Sequence, residues 1–148
     1  MASGCEDKQK QVIALFSGCT SAREKYEKII ELGKNVQPLD PRNKTETNRV
    51  RGCQSKMYLK TEYRDGKLFF ETSADALISQ GLGVLLTSVY SGESPETILQ
   101  CPPHHIEELS LAKILSPTRT NGLSALYLRM KQEAVIAIQK RDQSPRTE

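Results

Sequence analysis

Cys53 stands in the run Arg51-Gly52-Cys53-Gln54-Ser55, with Arg49 and Lys56 close by along the chain. A thiol reacts as its thiolate, and neighbouring cations favour that form. Gly52 lets the backbone bend with no Cβ in the way, which suits a thiol carried at a loop tip. The pattern predicts a reactive cysteine rather than a small buried hydrophobe, the usual fate of a free cysteine. The other cysteines carry weaker signals. Cys5 falls in the N-terminal segment and reads as incidental. Cys19 precedes a capped helix and Cys101 ends a short one, so both read as packing residues. The run Cys101-Pro102-Pro103-His104-His105 hints at a metal site, but two prolines stiffen the spacer and no fourth ligand is in view. No C-x-x-C pair occurs, so neither a zinc ribbon nor a thioredoxin-like site is written here.

The elements that must position Cys53 follow from pattern. Residues 6–17 predict a first helix, with Val12, Ile13 and Phe16 at helical spacing. Ser21 followed by Glu24 is a capping-box pattern opening a second helix, which ends near Gly33-Lys34-Asn35 with Gly33 available as a left-handed cap. Residues 36–48 contain Pro38 and Pro41 and read as a loop. From Lys56 the period changes to two, with Met57, Leu59, Thr61 and Tyr63 on one face. Asp65-Gly66 predicts a tight hairpin turn, because both residues tolerate positive φ, and residues 68–72 return as the partner strand. Ser73 can cap a third helix with Asp75 in its first turn. Leu77, Ile78, Leu82, Leu85, Leu86, Val89 and Tyr90 give that helix a broad apolar face. Gly81 and Gly83 inside it each cost about 1 kcal/mol of helix propensity and permit close packing against a neighbour. Ser94-Pro95 starts a short helix that Pro102-Pro103 stops, and residues 104–111 allow another short turn or helix. Ser116 to Gly122 reads as a turn cluster before a long terminal helix over about residues 121–140.

Bulk composition narrows the class. A chain of 148 residues, 26% charged and 37% hydrophobic, suits one globular domain with a core of its own. The net charge of +3 is too small for a nucleic-acid footprint, and no basic stripe with interleaved aromatics is present. No apolar stretch approaches a membrane span. Leu15-Phe16-Ser17-Gly18-Cys19 imitates a lipoprotein cleavage box, but the apolar run before it is shorter than a signal h-region. With four cysteines in 148 residues the chain is too long and too cysteine-poor for a small secreted disulfide scaffold, which favours a reducing, intracellular home.

With Gly52-Cys53-Gln54-Ser55 at the head of the hairpin, the chain resembles the SufE family of sulfur-acceptor proteins. The likeness extends to Glu24-Lys25-Tyr26 and Ile29-Ile30-Glu31-Leu32-Gly33 upstream. Downstream it takes in Asp75-Ala76 through Gly81-Leu82, Ser91-Gly92, Leu115-Ser116-Pro117-Thr118-Arg119 and Asn121-Gly122-Leu123. These blocks occur in family order over roughly residues 10 to 135. Two departures stand out. Tyr58 occupies a position commonly held by tryptophan, and Pro102-Pro103-His104-His105-Ile106 replaces an aromatic-containing stretch.

The resemblance implies an α+β fold, a small three-stranded antiparallel sheet packed with helices and similar to the IscU-type scaffold. The third strand, ahead of Cys53, comes mainly from it. Residues 1–148 then form a single SufE-like domain with a core over about 7–138 and flexible tails at 1–6 and 139–148. The resemblance further implies that Cys53 takes persulfide sulfur from a SufS-type cysteine desulfurase, stimulates that enzyme, and passes sulfur to a SufBCD-type Fe–S scaffold. The chain would be an accessory sulfurtransferase-like protein with no desulfurase activity of its own. It would need no cofactor, since pyridoxal phosphate belongs to the partner. Arg51, Gly52, Gln54, Ser55, Asp75 and Arg119 are the supporting residues, with Arg51 and Arg119 as sources of positive field. For Arg119 the alternative is a helix-approach arginine bonded to backbone carbonyls or to Asp75. The expected setting is cytoplasmic, or the plastid stroma in a eukaryote, as a monomer or weak homodimer without nucleic-acid or membrane partners. The other functional reading is an IscU-like scaffold that itself binds an Fe–S cluster or zinc, which needs three or more convergent thiolate or imidazole ligands.

Overall fold

A computed structural model describes residues 2–53 and 56–143. Among the described residues six α-helices surround one hairpin: α1 Ala2–Ala14, α2 Ala22–Lys34, β1 Met57–Arg64, β2 Lys67–Ala74, α3 Leu77–Tyr90, α4 Pro95–Gln100, α5 His104–Glu108 and α6 Pro117–Gln143. The hairpin is the one expected. Asp65 and Gly66 both have positive φ, at 54° and 78°, and the ladder runs from Met57 opposite Ala74 to Arg64 opposite Lys67. Met57 and Leu59 face the core with Leu68 and Phe70, whereas Tyr63 near the turn is exposed.

Among the described residues the sheet has two strands, not three. Segment 48–50 makes a single bridge, Arg49 opposite Tyr58. It cannot extend further as a strand. The Asn48 N–H is turned back to the Thr45 carbonyl at 3.1 Å, and Gly52 swings the chain away at φ 91°.

Helix α3 is the spine, buried among α1, α2, β2 and α6. Its glycines permit the close contact read from the sequence: a Cβ on Gly81 would stand 1.9 Å from the Ile29 carbonyl oxygen of α2. Gly33 plays the reciprocal part. It is a buried helical residue whose Cβ would lie 2.3 Å from the Leu77 carbonyl oxygen, so it packs rather than caps, and Asn35 ends α2 in a right-handed conformation.

Other local expectations are corrected. The Ser21 hydroxyl does accept from the Glu24 N–H at 3.1 Å, but the Glu24 carboxylate reaches Thr20 instead of closing the box. Ser73 is a buried strand residue and caps nothing; α3 begins at Leu77, and Asp75 lies in the crossing before it. The Ser116 turn cluster is already the start of α6, with Pro117 in its first turn and the Ser116 hydroxyl accepting from the Arg119 N–H at 3.3 Å. Within the ranges expected as tails, residues 2–6 belong to α1 and residues 139–143 to α6.

The largest surprise is covalent. Cys5 and Cys101, read as an incidental and a packing residue, form a disulfide that pins α1 to the end of α4. Both are buried, at 0% and 3% exposure, so the pair replaces two solvent-shielded thiols in the core. Cys101 is therefore no partner for a metal with His104 and His105. The buried His105 ring sets Nε2 2.8 Å from the Leu85 carbonyl oxygen, which makes Nε2 its protonated nitrogen. No helix among the described residues is long and apolar enough to cross a membrane.

Candidate functional site

Cys53 follows the Gly52 turn and points its thiol at α6. The Sγ lies 3.4 Å from the Gly122 carbonyl oxygen, to which the S–H donates, and 4.0 Å from Met57 Sδ. Beneath it, position 52 requires glycine. Gly52 adopts φ 91°, and even its missing Cβ would approach Ala125 to 3.2 Å. A Cβ on Gly122 would sit 3.4 Å from the Cys53 sulfur. The thiol is half-buried and free, and it lines a cavity of about 430 Å³. Asp75, Ser79, Thr118, Arg119 and Leu126 share that cavity.

Three elements meet there. The Cys53 loop enters from one side, Asp75 comes from the β2–α3 crossing, and Arg119 comes from the first turn of α6. Arg119 Nη1 donates to the Ser79 hydroxyl at 2.8 Å, so its guanidinium is held against α3 within the cavity wall. That partner is neither of those expected for it, a backbone carbonyl or Asp75. The Asp75 N–H donates to the Lys56 carbonyl at 3.2 Å and fixes the downstream end of the Cys53 loop. Cys53, Asp75 and Arg119, widely separated in sequence, are therefore gathered at one place, with Gly52 in the turn that carries Cys53. Arg51 is not. It points outward and pairs with Glu46 at 3.0 Å, both well exposed. Gln54 and Ser55 lie outside the described residues.

The electrostatics of the resting thiol run opposite to the expectation of a cation-lowered group. Burial pushes the Cys53 thiol above its ordinary range, and the charge of Arg49 pulls it down by less. The sign has a direct consequence: near neutral pH the resting thiol is protonated, and its reactivity rises only as pH climbs. In a Cys19→Ser background, the rate of Cys53 alkylation should follow a titration centred above the roughly 8.5 of an unperturbed cysteine. The charged groups facing it are Arg49, Arg119 and Asp75. A midpoint at or below the ordinary value would show that their field, not burial, governs the thiol.

Two residues of this site escaped sequence reasoning. In the sequence Arg49 reads only as a chain neighbour of Cys53, and Met57 only as one of the residues sharing a strand face. The isolated bridge between Arg49 and Tyr58 of β1, with the Val50 N–H donating to the Met57 carbonyl, brings both near the thiol.

Comparison with known proteins places this arrangement. Residues 10–134 match the family described as "SufE: Fe-S metabolism associated domain". An uncharacterized SufE-like protein of Synechocystis is 30% identical over 125 residues, covering 84% of this chain and 79% of that one. A SufE-like protein of Rhizobium meliloti, also uncharacterized, is 33% identical over 84% of this chain and 92% of its own. The chloroplastic/mitochondrial SufE-like protein 1 of Arabidopsis thaliana is 32% identical over 129 residues, 86% of this chain but only 35% of that longer protein. The solution structure of a hypothetical protein from Thermus thermophilus superposes with a TM-score of 0.71 at 27% identity, over 89% of this chain and 96% of that one. The chain belongs to the SufE family, a domain family associated with Fe–S metabolism.

Proposed function

We propose that this protein is a sulfur carrier whose Cys53 accepts sulfane sulfur from a persulfide on a pyridoxal-phosphate-dependent cysteine desulfurase and yields it to an Fe–S assembly scaffold. The observation that carries the reading is the presentation of Cys53: a free thiol on a glycine turn, facing a cavity of about 430 Å³ in a SufE-family chain. Cys5 and Cys101 are consumed in a buried disulfide, and Cys19 opens onto a different surface depression.

The step is an exchange at sulfur. Cys53 first loses its proton. Its thiolate then attacks the outer sulfur of the donor persulfide; a new S–S bond forms at Cys53, and the donor's S–S bond breaks. The donor cysteine leaves as its thiolate, so no external oxidant or reductant is consumed. A resting thiol kept protonated by burial is slow in this reaction. Docking of the desulfurase draws the loop out of the cavity, lifts the desolvation, and leaves Arg49 to favour the thiolate. The Arg119 and Asp75 side chains define the cavity the sulfur returns to.

Intact mass tests the carrier step. Wild type incubated with a cysteine desulfurase, pyridoxal phosphate and cysteine is expected to gain one sulfur atom that a reductant removes. Cys53→Ser is expected to gain none. A gain that persists in Cys53→Ser would move the site to Cys19, and no gain in wild type with an active desulfurase would sink the reading. The scaffold alternative needs three or more convergent ligands, and among the described residues no cluster of three His, Cys, Asp or Glu side chains suited to a metal accompanies Cys53.

A further inference from the structure

The segment that carries Cys53 is anchored unequally. Downstream of it, the Lys56 carbonyl is held by the Asp75 N–H, and the chain runs straight into the long β1–β2 ladder. Upstream there is one bridge. In it the Leu59 N–H donates to the Asn48 carbonyl at 2.8 Å and the Val50 N–H to the Met57 carbonyl at 2.9 Å. Residues 48 and 50 thus bond to β1 and the Arg49 carbonyl is left on the open side, while Thr47 lies in the preceding turn, where the Arg49 N–H donates to the Glu46 carbonyl at 3.2 Å.

Arg129 of α6 takes both. Its Nη1 donates to the Arg49 carbonyl at 2.9 Å and its Nη2 to the Thr47 carbonyl at 2.5 Å. Its Nε donates to the Glu133 carboxylate at 2.9 Å, which orients the guanidinium from behind. A planar fork takes both carbonyls at once, Thr47 from the turn over residues 46–48 and Arg49 from the bridge that follows it. The side chain is 18% exposed, shielded enough for the contacts to persist. Arg129 also continues a stripe along α6. Gly122 lies under the thiol, Ala125 against Gly52, and Arg129 at the next turns, all at helical spacing.

We propose that Arg129 is the positioning residue of Cys53, its fork fixing the upstream anchor of the loop and so keeping the thiol seated on Gly122 in the cavity. Arg129 does not touch the sulfur and takes no part in the exchange. The purpose of the device rests on the sulfur-carrier reading, a thiol sheltered until a partner draws it out, but its observable is the exposure of Cys53 alone.

Cys19 supplies the internal control. It is free, half-buried and away from the cavity, so general loosening of the fold would expose it as well. Full-length protein is alkylated with iodoacetamide, and the rates at Cys53 and Cys19 are read separately by peptide mass. Arg129→Ala is expected to speed Cys53 roughly tenfold with Cys19 unchanged, the mark of a local opening. Arg129→Lys keeps the charge but reaches one carbonyl rather than two, and should fall between. A Cys53 rate equal to wild type in either folded variant, or a parallel rise at both thiols, would overturn the proposal. Should Arg129→Ala not fold, Arg129→Lys decides alone. Sulfur loading of the wild type is a separate readout: its failure beside a selective Cys53 response would remove the carrier reading and leave the anchor standing.

Discussion

Breaking the Cys5–Cys101 bond is expected to lower the melting temperature by about 10–15 °C. The bond joins residues 96 positions apart. Closing so long a loop restricts the denatured chain by about 4.7 kcal/mol. For a chain of this size each kcal/mol moves the midpoint about 2–4 °C. The folded state loses less at once. The Lys8 ammonium stays 2.6 Å from the Glu93 carboxylate, the Gln9 amide donates to the Pro102 carbonyl at 2.8 Å, and Val12 and Phe16 remain in the core. Calorimetry of wild type with and without reductant, and of the Cys5→Ala/Cys101→Ala double variant, measures the effect. A shift under about 3 °C would mean that α1 docks by packing alone.

Gly81→Ala should cost about 3 kcal/mol or more, at the upper end of what overpacking does to a core. The added methyl would stand 1.9 Å from the Ile29 carbonyl oxygen and 2.8 Å from the Ile29 Cγ2. A side chain can rotate away from such a contact, but a helical carbonyl cannot, so α2 and α3 must separate. Their separation disturbs the Gly33–Leu77 contact as well. Gly18→Ala is the matched control, because nothing lies within 4 Å of its missing Cβ. Urea denaturation should shift strongly for the first and barely for the second. A loss under about 1 kcal/mol at Gly81 would show that the two helices slide apart cheaply.

What the sequence disclosed divides along the range of the interactions. The hairpin was legible because alternation and an Asp-Gly turn are local signals. Pro95 and the Ser21–Glu24 spacing marked helix starts for the same reason. Cys53 stood out through its immediate neighbours. Errors arose where a local signal allowed two outcomes. Ser73 is as good a cap as it is a strand residue, and only the continued pairing with Tyr58 chose the strand. Ser116-Pro117 is a turn in isolation and a helix start once Ser116 caps Arg119. Gly33 suits a left-handed cap until α3 is brought against it. Long-range features had no signal at all. No spacing rule joins Cys5 to Cys101, nothing near Arg129 marks it as the partner of Thr47 and Arg49, and the raised thiol of Cys53 follows from burial, which chain neighbours do not report.

The Asp65-Gly66 turn closes the end of the hairpin farthest from the thiol. Between them lie the rungs from Met57 to Arg64, a span of about 24 Å at the usual strand rise. The turn is exposed, and a Cβ on Gly66 would meet nothing within 4 Å. A fluorophore, an affinity handle or a short inserted peptide placed there sits at the end of a stiff two-stranded rod. It reports on the orientation of the whole domain in a larger assembly while staying clear of whatever approaches Cys53.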